Sequence, residues 1–424
     1  MRVGLDTRPL RGSSAFRALW IGTSASQLGA QAANVAVLAQ VWDLTRSPVA
    51  TGAIGLATGL PMVLFGLLGG TLADAFDRRT VVRATTTGQL LAAVGLFAQA
   101  VANEPDIVML FVLVAASASC SALGAPARRT FPARLLPRDQ VAAGLALNSV
   151  SFQAAMLVGP AAAGAVIARW GFGAAYAAQA VAVAISMAAL AGLPPVRPEG
   201  AGEHRSRPER GGWGVVLRRP TLWGALATDL AAVLLAMPVA LFPLVNEARF
   251  GGDPRTLGLF LSAVAVGGIT AGLLSGAVTR LPRAGLVQLT AACVWGLALA
   301  CFGLAGPLWL ALACLAVAGA ADTVSVVTRG TLVQLETPDA SRGRVSSVEH
   351  VIGVAAPELG NFRAGAVASA GGAAVALVAG GLSAVVAIVL IAAVNRPLRT
   401  YRTPAATPAP APAADVGAEE CGRT

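Results

Sequence analysis

Four carboxylates stand where water should be scarce: Asp229, Asp322, Glu349 and Glu358 each interrupt a long apolar run. A charge near the centre of a membrane helix costs about 2.5–3.5 kcal/mol on insertion scales, so acids in such runs need a partner or a task. The task open to them is proton carriage. Burial disfavours an ionised carboxylate and a nearby arginine favours it, so a site whose surroundings alternate can load and release a proton. Arg329 and Arg363 are the candidate charge partners. Asp322 and Arg329 are seven residues apart, close to two helical turns, and share a helix face. A permanent pair would make Asp322 a structural counter-charge; a pair that breaks when substrate arrives would make it a switch. Asp229 has no local partner and is the first candidate for the proton. Glu349, followed by His350, begins its run and is expected near the mouth of the pathway, either merely solvated or functional.

A second constellation is uncharged. Gln27, Gln31 and Asn34 recur at helical spacing, a narrow polar stripe on an otherwise apolar segment. Three amides suit lipid poorly. They are expected to line a central cavity and hydrogen-bond a polar substrate, or to bond neighbouring helices. Enzyme chemistry is not indicated. The sequence shows no nucleophile with a base and no GxxxxGK[ST] phosphate loop, so neither a catalytic site nor ATP-driven transport is expected. With two histidines and five cysteines, none at metal-ligand spacing, no metal or other cofactor is expected.

The elements that must hold these residues follow from composition. Of 424 residues, 56% are hydrophobic and only 12% charged, about half the charged fraction of a soluble chain. Apolar runs of about 20 residues, enough to cross a bilayer, recur throughout. They lie near 17–40, 49–72, 80–102, 106–127, 141–168 and 173–193, then 221–246, 255–278, 284–304, 306–328, 344–368 and 371–394. The expectation is an all-α membrane protein of twelve spans. Its domains are a six-helix bundle over 1–193, a central cytoplasmic linker over 194–219, a second bundle over 220–395 and a disordered tail over 396–424.

The net charge of +10 would suit nucleic acid if it formed one face, but it does not. All 31 basic residues are arginine, and about 26 of them fall in loops on one side of the twelve-span topology. That side is read as cytoplasmic, with both termini there, in a bacterial inner membrane. The partners expected are lipid, protons and a small molecule; no nucleic acid is expected, and the chain is read as a monomer. The halves also share an internal repeat. Arg128, Thr130 and Pro137 find Arg329, Thr331 and Pro338 at a constant offset of 201, and Pro160 is matched to Pro357 at an offset of 197.

Three motifs carry a family resemblance. Gly70, Asp74, Arg78 and Arg79 follow the second span, where they resemble the signature of the major facilitator superfamily; Ala75 and Asp77 depart from it. The resemblance suggests a cytoplasmic latch, in which Asp74 meets Arg342 or Arg344 near the start of span eleven; a solvated topology signal is the alternative. Gly159, Pro160 and Gly164 resemble the glycine-proline motif of drug and proton antiporters, with Ala163 in place of a glycine. Such a segment can bend without leaking, which favours export, or it is a packing kink alone. Asp322, Arg329, Gln334, Thr337–Asp339, Arg342–Val345 and Pro357–Gly360, with Arg128–Asp139, resemble the efflux branch that includes enterobactin exporters, a resemblance that covers about residues 15–395. This resemblance implies proton-coupled export of a siderophore or amphiphilic drug-like compound by alternating access. Proton-driven uptake, or a transporter-like receptor without flux, are the competing readings.

Overall fold

The computed structural model describes residues 6–102, 105–192, 212–278, 281–338 and 341–402. Most of the expected linker, 193–211, and the tail from 403 lie outside the described residues. The described chain is helical, without strands. Its long helices are α1 (Ser14–Thr45), α2 (Pro48–Ala75), α3 (Arg78–Val101), α4 (Ile107–Arg129), α5 (Val141–Ala191), α6 (Pro220–Ala236), α7 (Phe242–Phe250), α8 (Pro254–Leu273), α9 (Ala284–Leu304), α10 (Leu308–Glu336) and α11 (Arg342–Val394). Nine stretches among the described residues are long and apolar enough to cross a membrane.

The starts of these helices are written locally. Ser47 accepts from the Ala50 amide before Pro48 opens α2, and Asp253 accepts from the Arg255 amide before Pro254 opens α8. A polar cap followed by proline satisfies an orphan N–H and presets φ. Asp77, the residue that departs from the superfamily signature, is such a cap: it accepts from the Arg79 amide at 2.9 Å. At 51 and 53 residues, α5 and α11 would each be about twice as long as a bilayer is thick. Each is broken by a glycine of positive φ, Gly171 (77°) and Gly372 (80°), an angle that costs glycine no steric clash.

Both long helices fold back at these breaks. The first arm of α5 places Gly144 against Phe16 and Gly159 against Gln31, so it runs parallel to α1. The second arm places Tyr176 on Gln40 and Ser186 beside Gly22, so it runs the opposite way. In α11, Gly360 lies against Val233, whereas further along Gly380 meets Leu235 and Asn395 meets Gly224. The folding-back is thus repeated.

Helices α1–α5 pack mainly on one another, as do α6–α11; the main contacts between the two sets are α2 with α11 and α5 with α8. Those two contacts form a paired seam of glycines. A Cβ on Gly164 would fall on the Pro254 carbonyl and one on Gly258 on the Pro160 carbonyl; in the other contact Gly365 meets the Pro48 carbonyl and Gly52 the Asn361 carbonyl. Gly164 and Gly365 are 201 apart, as are Gly171 and Gly372, while Gly52 and Gly258 are 206 apart. The repeat therefore keeps its offset of 201 through α5 and α11. This corrects the matching of Pro160 with Pro357: the counterpart of Pro160 is Asn361, and Pro357 lies one helical turn earlier. Toward the far ends of the same helices the space is open. Gly66 and Gly70 of α2, Gly272 of α8 and Gly353 of α11 have nothing within 4 Å of where a Cβ would point. One end of the molecule is sealed and the other is not.

Residues 396–402, expected in the disordered tail, are ordered. Arg396–Thr400 form a short helix with Leu398 fully buried. Asn395 holds it: its Nδ2 donates to the Pro220 carbonyl at 2.6 Å and its Oδ1 accepts from the Leu398 amide at 3.0 Å. Asn395→Ala removes a cap and an interhelical bond, and a loss of about 1–2 kcal/mol is expected in a denaturation series.

Candidate functional site

Arg329 is the centre of the charged site. It projects from α10 into a nearly closed environment where it pairs with Asp229 of α6, both side chains being 9% exposed. Its Nε also lies 3.5 Å from Glu349 Oε1 on the first arm of α11, which is 27% exposed. Asp322 stands within electrostatic reach of Asp229 and Arg329. One guanidinium thus serves three helices and faces three carboxylates, an arrangement in which a change at one acid is felt by the others.

The expected partnership of Asp322 with Arg329 is replaced by one with Asp229. Seven residues along a helix is a rise of about 10 Å, longer than an arginine side chain spans, whereas α6 brings Asp229 alongside. Asp229, read as partnerless within its own segment, is paired across 100 residues. Arg363 does not serve as a charge partner among the described residues. It donates to the Leu235 carbonyl in the last turn of α6, one of the acceptors that a helix end leaves without an internal donor.

Glu358 belongs to a different place, the α2–α11 seam. Gly55 and Gly59 make room for it, and it accepts from Asn361 Nδ2 at 3.4 Å. Asn361 Oδ1 in turn accepts from the Ala240 amide at the break between α6 and α7. The four acids therefore divide into a group of three and one at the seam.

The polar stripe is split. Gln31 Nε2 lies 3.0 Å from the Met156 sulfur on α5, beside Gly159, while Asn34 is exposed and Gln27 Oε1 is shielded without a partner among the described residues. Gly159 and Gly164 act as close-packing positions, against Gln31 and the Pro254 carbonyl respectively. Next to Pro160, Ser262 Oγ of α8 accepts from the Ala161 amide at 3.2 Å.

At the open end, Arg79 and Arg83 donate to the Ala191 carbonyl at the end of α5, cations at a helix C-terminus. Asp74 is exposed, Arg78 is partly buried, and Gly70 faces open space instead of a close helix neighbour. Arg344 donates to Ser341 at 3.4 Å, and both Arg344 and Arg342 open α11.

The sequence reading missed a strap at the sealed end. Trp42 Nε1 and Arg46, at the end of α1, both donate to Glu247 of α7, and Arg46 also bonds Asp43 at 2.9 Å. These residues line a recess of about 360 Å³ with Phe172 and Asn246. Opposite charges at the corresponding ends of the first helix of each half were the available signal, although each charge alone looks like an ordinary loop residue.

A helical membrane fold of two paired helix sets, with a charged cluster in one and a seam between them, is that of a transporter of the major facilitator superfamily. Within it the chain belongs to the transmembrane secretion effector family, which it matches over residues 7–419. It is 27% identical to the enterobactin exporter EntS of Shigella flexneri over 346 residues, 81% of this chain and 82% of that protein. It is 26% identical to the EntS of Escherichia coli O1:K1 / APEC over 350 residues, 81% and 83% of the two chains. Among solved structures it is similar to the nucleoside transporter NupG (TM-score 0.68, 14% identity, covering 92% of this chain and 100% of that one). It is likewise similar to a bacterial homolog of the human lysosomal transporter Spinster in an inward-facing, unoccupied conformation (TM-score 0.67, 15% identity, 93% and 97%). These chains are transporters, and this one is a multi-pass membrane transporter.

Proposed function

We propose that the chain is a proton-coupled exporter of a small amphiphilic molecule, of the siderophore or drug-like class, working by alternating access. The observation that carries this reading is Arg329 held between Asp229 and Glu349 with Asp322 beside them. Three acids around one arginine leave carboxylate charge uncompensated, which a proton can answer. The fold-backs at Gly171 and Gly372 support twelve spans in two six-helix bundles. The arginine-rich loops support cytoplasmic termini, which makes the open end the cytoplasmic one and the Trp42–Arg46–Glu247 strap the outer closure. When the halves rock, Asp74 would approach the start of α11 and complete the latch with Arg342 or Arg344. Gln27, Gln31 and Asn34 are proposed to line the substrate path, and Glu358 to report on the seam. The direction of transport follows the exporters that the chain resembles.

The test is flux by the purified full chain in oriented proteoliposomes, with enterobactin as the first probe and an imposed proton gradient. Gradient-driven movement that a protonophore abolishes is expected. Binding without movement would replace the exporter with a receptor, and movement in the opposite direction with an uptake permease.

A further inference from the structure

The two halves descend from one repeat, yet their interiors carry opposite charge. Arg128 of α4 is the counterpart of Arg329 at the offset of 201 that also relates Gly164 to Gly365 and the two helix breaks. At the same offset Asp322 is answered by Ser121 and Glu349 by Asn148. The counterpart of α6 is α1, which has no carboxylate before Asp43 near its far end. All three acids of the Arg329 site are therefore missing around Arg128, while the arginine remains.

Arg128 is partly buried. Its Nη2 donates to the Thr86 hydroxyl of α3 at 3.2 Å, and none of the ion pairs among the described residues includes it. Gly124, one turn earlier, packs on Thr85 of α3: a Cβ there would fall 2.5 Å from the Thr85 hydroxyl and 3.6 Å from the same nitrogen. A guanidinium has five donors in a planar fork, and one hydroxyl answers only one of them. Charges of this kind are expensive to shield without an opposite charge, and membrane proteins pair them. The chain supplies that charge at Arg329 and withholds it at Arg128.

We propose that Arg128 binds the anionic group of the transported molecule, a carboxylate or similar oxyanion on an amphiphilic body, as it arrives from the open end. The acid-rich site in the other half would repel such a molecule until protons reduce its charge, so the opposed halves couple anion and proton through electrostatics alone. This inference rests on the transporter reading above and names the charge of its substrate.

The experiment compares binding of pyrenebutyrate and its uncharged amide to the full chain in neutral detergent, by fluorescence. The proteins are wild type, Arg128→Gln, Arg128→Lys and Asn148→Glu. The last variant restores the acid found at Glu349 and leaves Arg128 in place, so a merely structural role for the arginine would not move with it. The wild type should prefer the acid by at least tenfold, and Arg128→Gln and Asn148→Glu should each erase that preference, with Arg128→Lys intermediate. Equal binding of acid and amide by the wild type would overturn the proposal. So would an unchanged preference in Arg128→Gln, or Arg128-dependent binding of phosphatidylglycerol micelles without binding of pyrenebutyrate. If Asn148→Glu unfolds at a lower temperature, Ser121→Asp serves the same purpose. Flux separates the two readings: binding as expected with no movement under a proton gradient sinks transport and spares Arg128, whereas equal gradient-driven movement of pyrenebutyrate by wild type and Arg128→Gln sinks Arg128 and spares transport.

Discussion

Asp229→Asn is expected to lower proton-driven flux by about 100-fold, equivalent to about 2.7 kcal/mol in the barrier, while leaving substrate exchange in the absence of a gradient largely intact. In the proposed proton-coupled cycle net transport requires a proton to be taken up and released; exchange of one substrate molecule for another does not. The variant keeps the shape of Asp229 and keeps Arg329 paired, because Glu349 lies 3.5 Å from the guanidinium. Arg329→Gln should behave differently. It leaves Asp229, Glu349 and Asp322 facing one another without the cation, and losing one member of a buried pair typically costs about 3–5 kcal/mol. The double variant Asp229→Asn/Arg329→Gln should be more stable than Arg329→Gln alone, a non-additivity that thermal denaturation of the four proteins measures. Proton-driven flux of Asp229→Asn at the wild-type rate would remove Asp229 from proton handling.

The elements were legible in the sequence because the bilayer imposes them. Apolar length, arginine in the loops, proline after a polar cap and glycine at the two breaks each act within a few residues. The four acids were legible for the same reason, since a carboxylate in an apolar run is conspicuous wherever it folds. Their partners were not. Asp229 meets Arg329 across 100 residues, and the nearer candidate, Asp322, was favoured by helical phase without regard to reach. The glycine-proline segment was visible as a motif, but its closest contacts are the Pro254 carbonyl and Gln31. A seam between backbones is invisible until both helices are placed. Leu398 falls in a stretch that polar composition alone reads as the start of a loose tail, and one buried leucine with the well-placed Asn395 amide just before it reverses that.

The seam makes the second large effect. Gly164→Val places side-chain carbon on the Pro254 carbonyl and within reach of Arg255 Cα, which a Cβ alone would approach to 3.1 Å. Both obstacles are backbone, so neither can rotate away. Overpacking of this kind costs about 1–3 kcal/mol, and in the proposed alternating-access cycle the cost falls on the sealed arrangement alone, because the other arrangement would separate α5 from α8. A penalty of about 2 kcal/mol shifts the balance roughly 30-fold toward opening of the sealed end. Gly365→Val should do the same against the Pro48 carbonyl on the other side of the pseudo-two-fold axis, and because the sites share no partner their effects should add. The readout is alkylation of Ala39→Cys, which lines the recess behind the Trp42–Arg46–Glu247 strap, in a chain whose five native cysteines are replaced by serine. Labelling should rise with each valine and rise further with both, while transport falls by at least tenfold. Gly70→Val is the opposed control: it meets open space in this arrangement and should leave labelling of Ala39→Cys unchanged or lower it, yet slow transport by obstructing closure at the far end. If Gly164→Val and Gly365→Val label no faster than their parent, the carbonyl contacts do not hold the sealed end shut, and the strap through Glu247 must carry that closure by itself.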